Sequence, residues 1–179
     1  MRYGALLIIA VAGVGVASFA KDKLLDRPIA IPAAAPGASP SAPRPIKENV
    51  VAFEKSDPAM NAAKQKARST LARFRELYAR RTAGGTYTVK FPLTQNGATE
   101  HIWLQLTSMR DTEFVGLLAN DPVNGASYRK GQAMTVPASL VEDWMVNNGG
   151  TIYGGYTARV ALAQLPKDQQ AKYAGVFRD

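Results

Sequence analysis

The sequence predicts an α+β domain in which one long N-terminal helix packs on a twisted antiparallel sheet or open small barrel, followed by short C-terminal helices. Three observations predict this fold. Apolar residues recur at helical spacing between positions 60 and 78, apolar and polar residues alternate from position 87 onward, and clusters of Gly, Asn and Pro separate the alternating runs. A chain of 179 residues holds one ordinary domain with some residues left over.

The long helix is expected to begin at Asp57 and Pro58, because an Asp side chain caps free backbone N–H groups and proline suits a first helical turn. Gly84 and Gly85 are expected to end it, after about six turns. Its apolar stripe consists of Met60, Ala63, Ala67, Leu71, Phe74 and Tyr78. The basic residues lie off this stripe, which indicates that the opposite side of the helix faces solvent. Contact with a membrane surface or an acidic partner is the alternative interpretation.

Strands are expected at residues 87–93, 101–107, 114–120, 134–137, 143–146 and 151–153. Asn96 and Gly97 form a turn signal, residues 147–150 predict a hairpin, and Pro92 indicates an edge position or a strand end. Residues 156–164 could form a strand or a helix, of which a helix is favoured, and a last short helix is expected at residues 166–176. Together these elements form a single α+β domain over residues 47–179.

The first 46 residues have a different composition from the domain. Residues 3–20 carry no formal charge, and Ser18-Phe19-Ala20 has the small-x-small pattern of a signal-peptidase site. Residues 1–20 are therefore a signal peptide or an N-terminal membrane anchor, and a helical length of about 27 Å does not decide between the two. Residues 21–46 contain six prolines and predict a disordered Pro/Ala-rich linker. We expect an exported protein, either periplasmic or membrane-anchored and facing the periplasm.

Composition excludes several classes of function. Hydrophobic residues make up 46% and charged residues 20%, so the chain is neither wholly disordered nor fibrous. The absence of cysteine excludes a disulfide scaffold, a thiolate metal site and a cysteine nucleophile, and the single histidine excludes a site that needs two imidazoles. We therefore expect no metal and no cofactor.

The net charge of +8 is uneven along the chain. Residues 1–46 carry five Lys/Arg and two Asp/Glu, residues 47–81 carry nine and four, and residues 82–179 carry eight of each. Most aromatic residues lie in the neutral part, apart from the surplus cations, which argues against nucleic-acid binding. A basic segment near a membrane needs no aromatic residues, so attraction to anionic lipid remains open, as does membrane attachment through an uncleaved N-terminal segment.

Several short runs together are characteristic of one bacterial family. They include Glu100-His101-Ile102-Trp103 and the runs 57–63, 67–71, 89–91, 116–122, 141–145 and 153–159. In this order they resemble the bacterial domain-of-unknown-function family 2314, also called YegJ-like, over about residues 55–165. The loop at 123–130 departs from the family's pattern, because it lacks an apolar-Pro-Gly connection. The resemblance implies one small α+β domain, placed outside the cytoplasm in some members, and no catalytic residues.

The candidate binding site is a face with aromatic residues, one histidine and one arginine. His101 and Trp103 share a strand face opposite Ile102, and other aromatic residues come from segments expected to fold beside it. Such residues commonly anchor ligands and interfaces. The candidate set is His101, Trp103, Trp144, Tyr153, Tyr156 and Arg159. The partner would be an unknown protein or small molecule in the envelope, although the same residues also suit a face that the long helix simply covers.

Two other functions stay open. A small enzyme would use His101 as a general base with a carboxylate from a neighbouring strand, for which Asp121 and Asp143 are the candidates. Glu100 is not one, because adjacent strand residues point to opposite faces. No Gly-x-Ser-x-Gly elbow or phosphate-binding loop is present, and Gly149-Gly150 and Gly154-Gly155 are interpreted as turns. The second alternative, a toxin-neutralising immunity-type protein, has no residues that single it out.

Overall fold

Two short helices open the part of the chain that the computed structural model describes, residues 57–179. The first, α1 (Pro58–Ser69), begins where expected: the Asp57 carboxylate accepts a hydrogen bond from the backbone N–H of Met60 at 2.8 Å. The second, α2 (Leu71–Ala79), follows after one residue, Thr70. The sequence features placed in residues 1–46 lie outside the described residues.

The prediction of one long helix is wrong, because the helix breaks at Thr70. The Thr70 hydroxyl donates to the Lys66 carbonyl at 2.8 Å and also bonds the Ala67 carbonyl at 3.2 Å. The indole Nε1 of Trp144 donates to the same Ala67 carbonyl and to the Thr70 hydroxyl, each at 3.1 Å. The Thr70 and Trp144 side chains thus donate hydrogen bonds to backbone carbonyls at the end of α1. The apolar stripe nevertheless continues, with Met60, Ala63, Ala67, Phe74 and Tyr78 all buried.

Seven strands form one sheet in the order β4-β3-β2-β1-β5-β6-β7. The α+β class is confirmed, and the sheet is open, with β4 and β7 at its edges. All neighbours pair antiparallel except β6 and β7, which are parallel. The strands are β1 (Thr86–Gln95), β2 (Ala98–Met109), β3 (Glu113–Leu118), β4 (Ala133–Pro137), β5 (Asp143–Asn148), β6 (Thr151–Gly154) and β7 (Phe177–Arg178).

The turns follow the glycine and asparagine signals of the sequence. Asn96 and Gly97, with φ of 50° and 75°, join β1 to β2 as a two-residue hairpin. Gly149 and Gly150 join β5 to β6 in the same way. Pro92 lies in the part of β1 beyond Lys90, where β5 no longer pairs with it, so the missing N–H costs no bond to β5.

The C-terminal segment is partly as expected. Helix α3 (Tyr156–Leu162) confirms the predicted helix at 156–164. Helix α4 (Lys167–Ala171) is shorter than predicted, and Gly175, with φ of 73°, turns the chain into β7. Strand β7 was not predicted, because two residues are too few to show an alternating pattern. None of the helices in residues 57–179 is long and apolar enough to cross a membrane.

The two faces of the sheet differ in chemistry. On the first, which we call the apolar face, Val89 lies between Leu104 on β2 and Trp144 on β5. Phe74 of α2 packs against this face, with its ring centroid 5.5 Å from that of Trp144. The opposite face, which we call the charged face, consists of Lys90, His101, Trp103 and Asp143 with their neighbours in the register. A 3₁₀ turn (Ala138–Leu140) leads from β4 towards the start of β5.

Candidate functional site

The candidate site lies on the charged face, where β1 and β2 continue beyond the start of β5. Trp103 is directly opposite Lys90, and His101 is opposite Pro92. Lys90 is also opposite Asp143, the first residue of β5. The alternation of the pleat therefore directs one histidine, one lysine and one aspartate to the same side.

Glu142 connects this face to α1. It immediately precedes β5, and its backbone N–H donates to the Lys90 carbonyl at 2.8 Å. Its carboxylate oxygen Oε1 accepts a bond from Lys64 Nζ at 2.9 Å, and Oε2 is hydrogen-bonded to Nδ1 of His101. Burial of Glu142 acts to raise the pKa of its carboxyl group, but the hydrogen bonds and positive charges of His101 and Lys64 outweigh it and lower the pKa. Glu142 is therefore an ionised carboxylate shared by two basic groups.

A second polar network lies beneath this one. The Lys90 ammonium is wholly buried and donates to the Thr157 hydroxyl at 3.1 Å, and that hydroxyl donates to Asp143 Oδ2 at 2.6 Å. Asp143 also accepts bonds from the backbone N–H groups of Trp144, Tyr156 and Thr157. Because the N-cap residue of α3 is a glycine without a side chain, the Asp143 carboxylate performs the capping role for this helix.

Burial dominates the acid–base behaviour of Lys90 and Asp143. It lowers the pKa of Lys90 to about 8, although the negative charges of Asp143 and Glu142 act in the opposite direction. It raises the pKa of Asp143, against the hydrogen bonds from Thr157 and the charge of Lys90. The Trp103 ring adds a favourable contact, since the Lys90 ammonium lies 5.6 Å from its centroid. The network is a well-connected but energetically costly arrangement.

His101 is partly buried within this site. Its side chain is 12% exposed, and Nε2 has no hydrogen-bond partner within residues 57–179. Over the same residues, no Ser, Thr or Tyr hydroxyl bonds to His101, and no group of three or more His, Asp or Glu residues is arranged to hold a metal ion. The bond at Nδ1 therefore holds the imidazole in one orientation, and no described residue bonds to Nε2.

The structure divides the six predicted site residues into two groups. His101 and Trp103 lie together on the charged face, where Trp103 is 5% exposed. The other four lie around the apolar face and α3. Trp144 is 1% exposed, and the half-buried Tyr156 ring meets it edge-on with centroids 5.8 Å apart. Tyr153 is half-buried opposite Val146. A single exposed face does not contain all six, and their binding role stays a prediction.

Arg159, the arginine of that set, contacts the end of the described chain. Its Nη1 pairs with Asp179 at 2.8 Å, and its Nη2 donates to the Arg178 carbonyl at 2.6 Å. The guanidinium also lies over the rings of Tyr156 and Phe177, at 5.4 and 5.0 Å from their centroids. These contacts fasten β7 to α3, so most of the donors of Arg159 are already in use.

The carboxylates proposed for the enzyme hypothesis are engaged elsewhere. Asp143 is the α3 cap, and Asp121 accepts a bond from the backbone N–H of Lys130 at 2.8 Å. As expected, Glu100 points away from His101; it is buried and accepts bonds from the backbone N–H groups of Val123 and Asn124. The carboxylate at His101 is Glu142, which sequence reasoning missed. Its one signal was the position just before a strand, and the contact spans 41 residues.

Comparison with known proteins gives a family. Residues 57–177 match the model of a family described as "Uncharacterized protein conserved in bacteria (DUF2314)". The chain is also similar to the uncharacterised protein YegJ of Escherichia coli (strain K12), with 35% identity over 111 residues, which cover 62% of this chain and 72% of the relative. No solved structure shows a significant match.

Proposed function

The chain belongs to the DUF2314 family of uncharacterised bacterial proteins, and we propose that it is a binding domain of the bacterial envelope whose site surrounds His101. The observation that carries the proposal is the hydrogen bond from Nδ1 of His101 to Glu142, which is itself held by Lys64. This bond fixes the orientation of the ring. Within residues 57–179 nothing bonds to Nε2, so this atom is free to bind a partner. An oriented side chain loses little conformational freedom on binding.

The surroundings of His101 favour recognition of a partner over covalent catalysis. Thr99 and Thr94 share the face of His101 by alternation along β2 and β1, and their hydroxyls bond each other at 2.9 Å. Thr94 is exposed, whereas Pro92, Thr99 and His101 are half-buried. These residues supply polar groups and a rigid ring, but no hydroxyl nucleophile bonded to the imidazole within residues 57–179. We call this surface of Pro92, Thr94, Thr99 and His101 the histidine rim.

The buried network beneath the histidine rim supports it. Lys90, Thr157 and Asp143 bond one another and join β1, α3 and β5. A binding surface gains affinity when its residues are held by such a second layer of contacts. Because proline has no backbone N–H, Pro92 provides no hydrogen-bond donor at the rim for a strand of another molecule.

The proposed envelope location is supported by sequence alone. Residues 3–20 lack formal charge and precede a proline-rich stretch that suits a tether or spacer. The partner would then be a protein or small molecule outside the cytoplasm. Fractionation of cells that express the full chain tests this part: recovery in the periplasmic or membrane fraction supports the location, and recovery in the cytosol contradicts it.

Position-specific photo-crosslinking tests the binding site. A benzoylphenylalanine replaces Thr94 on the histidine rim or, as the matched control, the exposed Thr135 on the edge strand β4. We expect one defined product from the Thr94 position in intact cells and none at comparable yield from Thr135. Equal products from both positions, or none from Thr94, would contradict a site at the histidine rim.

A second candidate, a small enzyme, is favoured by the same His101–Glu142 bond, because a carboxylate on Nδ1 holds the imidazole in the tautomer and orientation that a general base needs. Hydrolysis of an activated ester such as p-nitrophenyl acetate tests it. An enzyme would lose turnover in both His101→Gln and Glu142→Gln while remaining folded. The binding proposal expects no turnover by the wild type beyond the rate of the His101→Gln variant.

A further inference from the structure

Six of the seven basic residues in residues 57–81 form two rows that the domain uses differently, whereas Arg81 lies over the Tyr78 ring. The inner row is bonded to the rest of the domain, through the Glu142 side chain and through backbone carbonyls before β5 and after β2, at 2.7–3.2 Å. The last of its cations also lies 5.2 Å from the centroid of the Phe114 ring. The inner row consists of Lys64, Arg68 and Arg75. Its charges attach the helices to the sheet.

The outer row lies on the other side of the apolar stripe and consists of Lys66, Arg73 and Arg80. The three residues are seven positions apart, about two helical turns, and Arg80 directly follows α2. Because the buried stripe keeps its phase through both helices, each residue lies on the same side as the previous one. All three are exposed, and none forms an ion pair within residues 57–179. Arg73 donates one hydrogen bond, to the Asp179 carbonyl at 2.7 Å.

The surplus positive charge of the described domain belongs to these helices. Residues 57–81 carry seven Lys/Arg and two Asp/Glu, whereas residues 82–179 carry eight of each. The side chains of the inner row bond to the rest of the domain, whereas the exposed side chains of the outer row present their charges to solvent. Ser69 and Ala72 beside it are exposed and small, so the helix backbone can approach a flat surface closely.

We propose that the outer row docks on an anionic lipid surface and lays α1 and α2 along the membrane. The inference rests on the envelope location proposed above, since the uncharged residues 3–20 and the proline-rich residues 21–46 precede α1 in the chain. Lipid headgroups suit the row because they are anionic and mobile, and they require no aromatic anchor, which a specific protein interface usually has. Each basic residue near such a surface contributes about 1 kcal/mol, so three give a preference on the order of a hundredfold.

The test uses the full chain with a single Ala72→Cys substitution, which a polarity-sensitive dye labels uniquely because the chain has no cysteine. The dye signal is titrated with vesicles of phosphatidylcholine alone and of phosphatidylcholine mixed with phosphatidylglycerol. The row variant replaces Lys66, Arg73 and Arg80 with Gln. The matched control replaces the exposed Lys130, Lys167 and Lys172 with Gln, which removes the same charge elsewhere.

We expect a dye response that requires phosphatidylglycerol and weakens with added salt. Its apparent affinity should fall on the order of a hundredfold in the row variant and by no more than a few-fold in the control. No response, an equal response to both vesicles, or equal losses in the two variants would overturn the inference. Membrane attachment through the uncharged residues 3–20 alone would not require phosphatidylglycerol, so it would give an equal response to both vesicles. If the chain gives the Thr94 crosslink in the envelope but no dye response, only the lipid inference is refuted. If it gives the dye response but no Thr94 crosslink, only the proposed site is refuted.

Discussion

The two faces of the sheet bury their central residues by different means. On the apolar face, Val89 and Leu104 are wholly buried and gain stability by removal from water. On the charged face, Lys90 and Asp143 are equally buried and are tolerated because each has partners. The comparison teaches that a substitution on the apolar face acts through lost volume, whereas one on the charged face acts through the partner left behind.

The largest effect is expected on the apolar face, at Trp144. Trp144→Ala removes a fully buried ring and both hydrogen bonds to the α1–α2 junction, and should lower the free energy of unfolding by about 3–5 kcal/mol. Trp144→Phe keeps most of the volume and should cost clearly less. Urea unfolding measures both. A loss below about 1 kcal/mol for the alanine variant would mean that this face does not hold the domain together.

The next effect is an asymmetry within the charged face. Asp143→Ala leaves the Lys90 charge buried and the first N–H groups of α3 without their acceptor, so it should cost about 3 kcal/mol or more. Lys90→Met should cost less, because Asp143 keeps its backbone and Thr157 donors. Unfolding of the two single variants and the double variant measures the coupling. Equal costs that simply add would contradict a linked network.

Alkaline pH should change the free energy of unfolding through the charged face, because Lys90 titrates there. Because the pKa of Lys90 is lowered to about 8 from 10.5, the folded domain releases this proton between those pH values while the unfolded chain retains it. The wild type should therefore gain stability relative to Lys90→Met as pH rises through this window, by up to about 3 kcal/mol. Urea unfolding of both proteins at pH 7.5, 9 and 10.5 tests this. A constant difference would show that Lys90 titrates normally.

Acid should act through Glu142, with a smaller effect. Since the pKa of its carboxyl group is lowered from 4.5 in the folded domain, its stabilising contribution is present above pH 4.5 and is lost as pH falls below that value. Thermal unfolding of the wild type and Glu142→Gln should therefore converge on acidification. Parallel curves down to pH 3 would show that the bonds to His101 and Lys64 do not stabilise the ionised form.

The sequence predicted those parts of the molecule that depend on local pattern. The alternation around Val89 and Leu104 placed β1 and β2, and Asn96-Gly97 placed the turn between them. The helix break at Thr70 was not predicted: its hydroxyl bonds nearby carbonyls, but the Trp144 indole that bonds the same hydroxyl is 74 residues away in the sequence. Within the site, the shared face of His101 and Trp103 followed from the pleat.

The partner of His101 did not follow from local pattern. Glu142 reaches the imidazole from a position that precedes β5 and lies outside any regular strand alternation. Lys64 completes the arrangement from α1, 78 residues away. Such contacts depend on how the 3₁₀ turn after β4 delivers the chain to the sheet, and no spacing in the sequence encodes that path.

The central claim is that the histidine rim serves binding, whereas the buried residues of both faces supply stability. The most direct test measures the Thr94 crosslink yield and the free energy of unfolding in His101→Gln, with Gln105→Ala, an exposed position on the same strand face, as control. We predict that His101→Gln lowers the yield on the order of tenfold while costing about 1 kcal/mol or less, and that the control changes neither. An unchanged yield in a folded His101→Gln variant would contradict the claim.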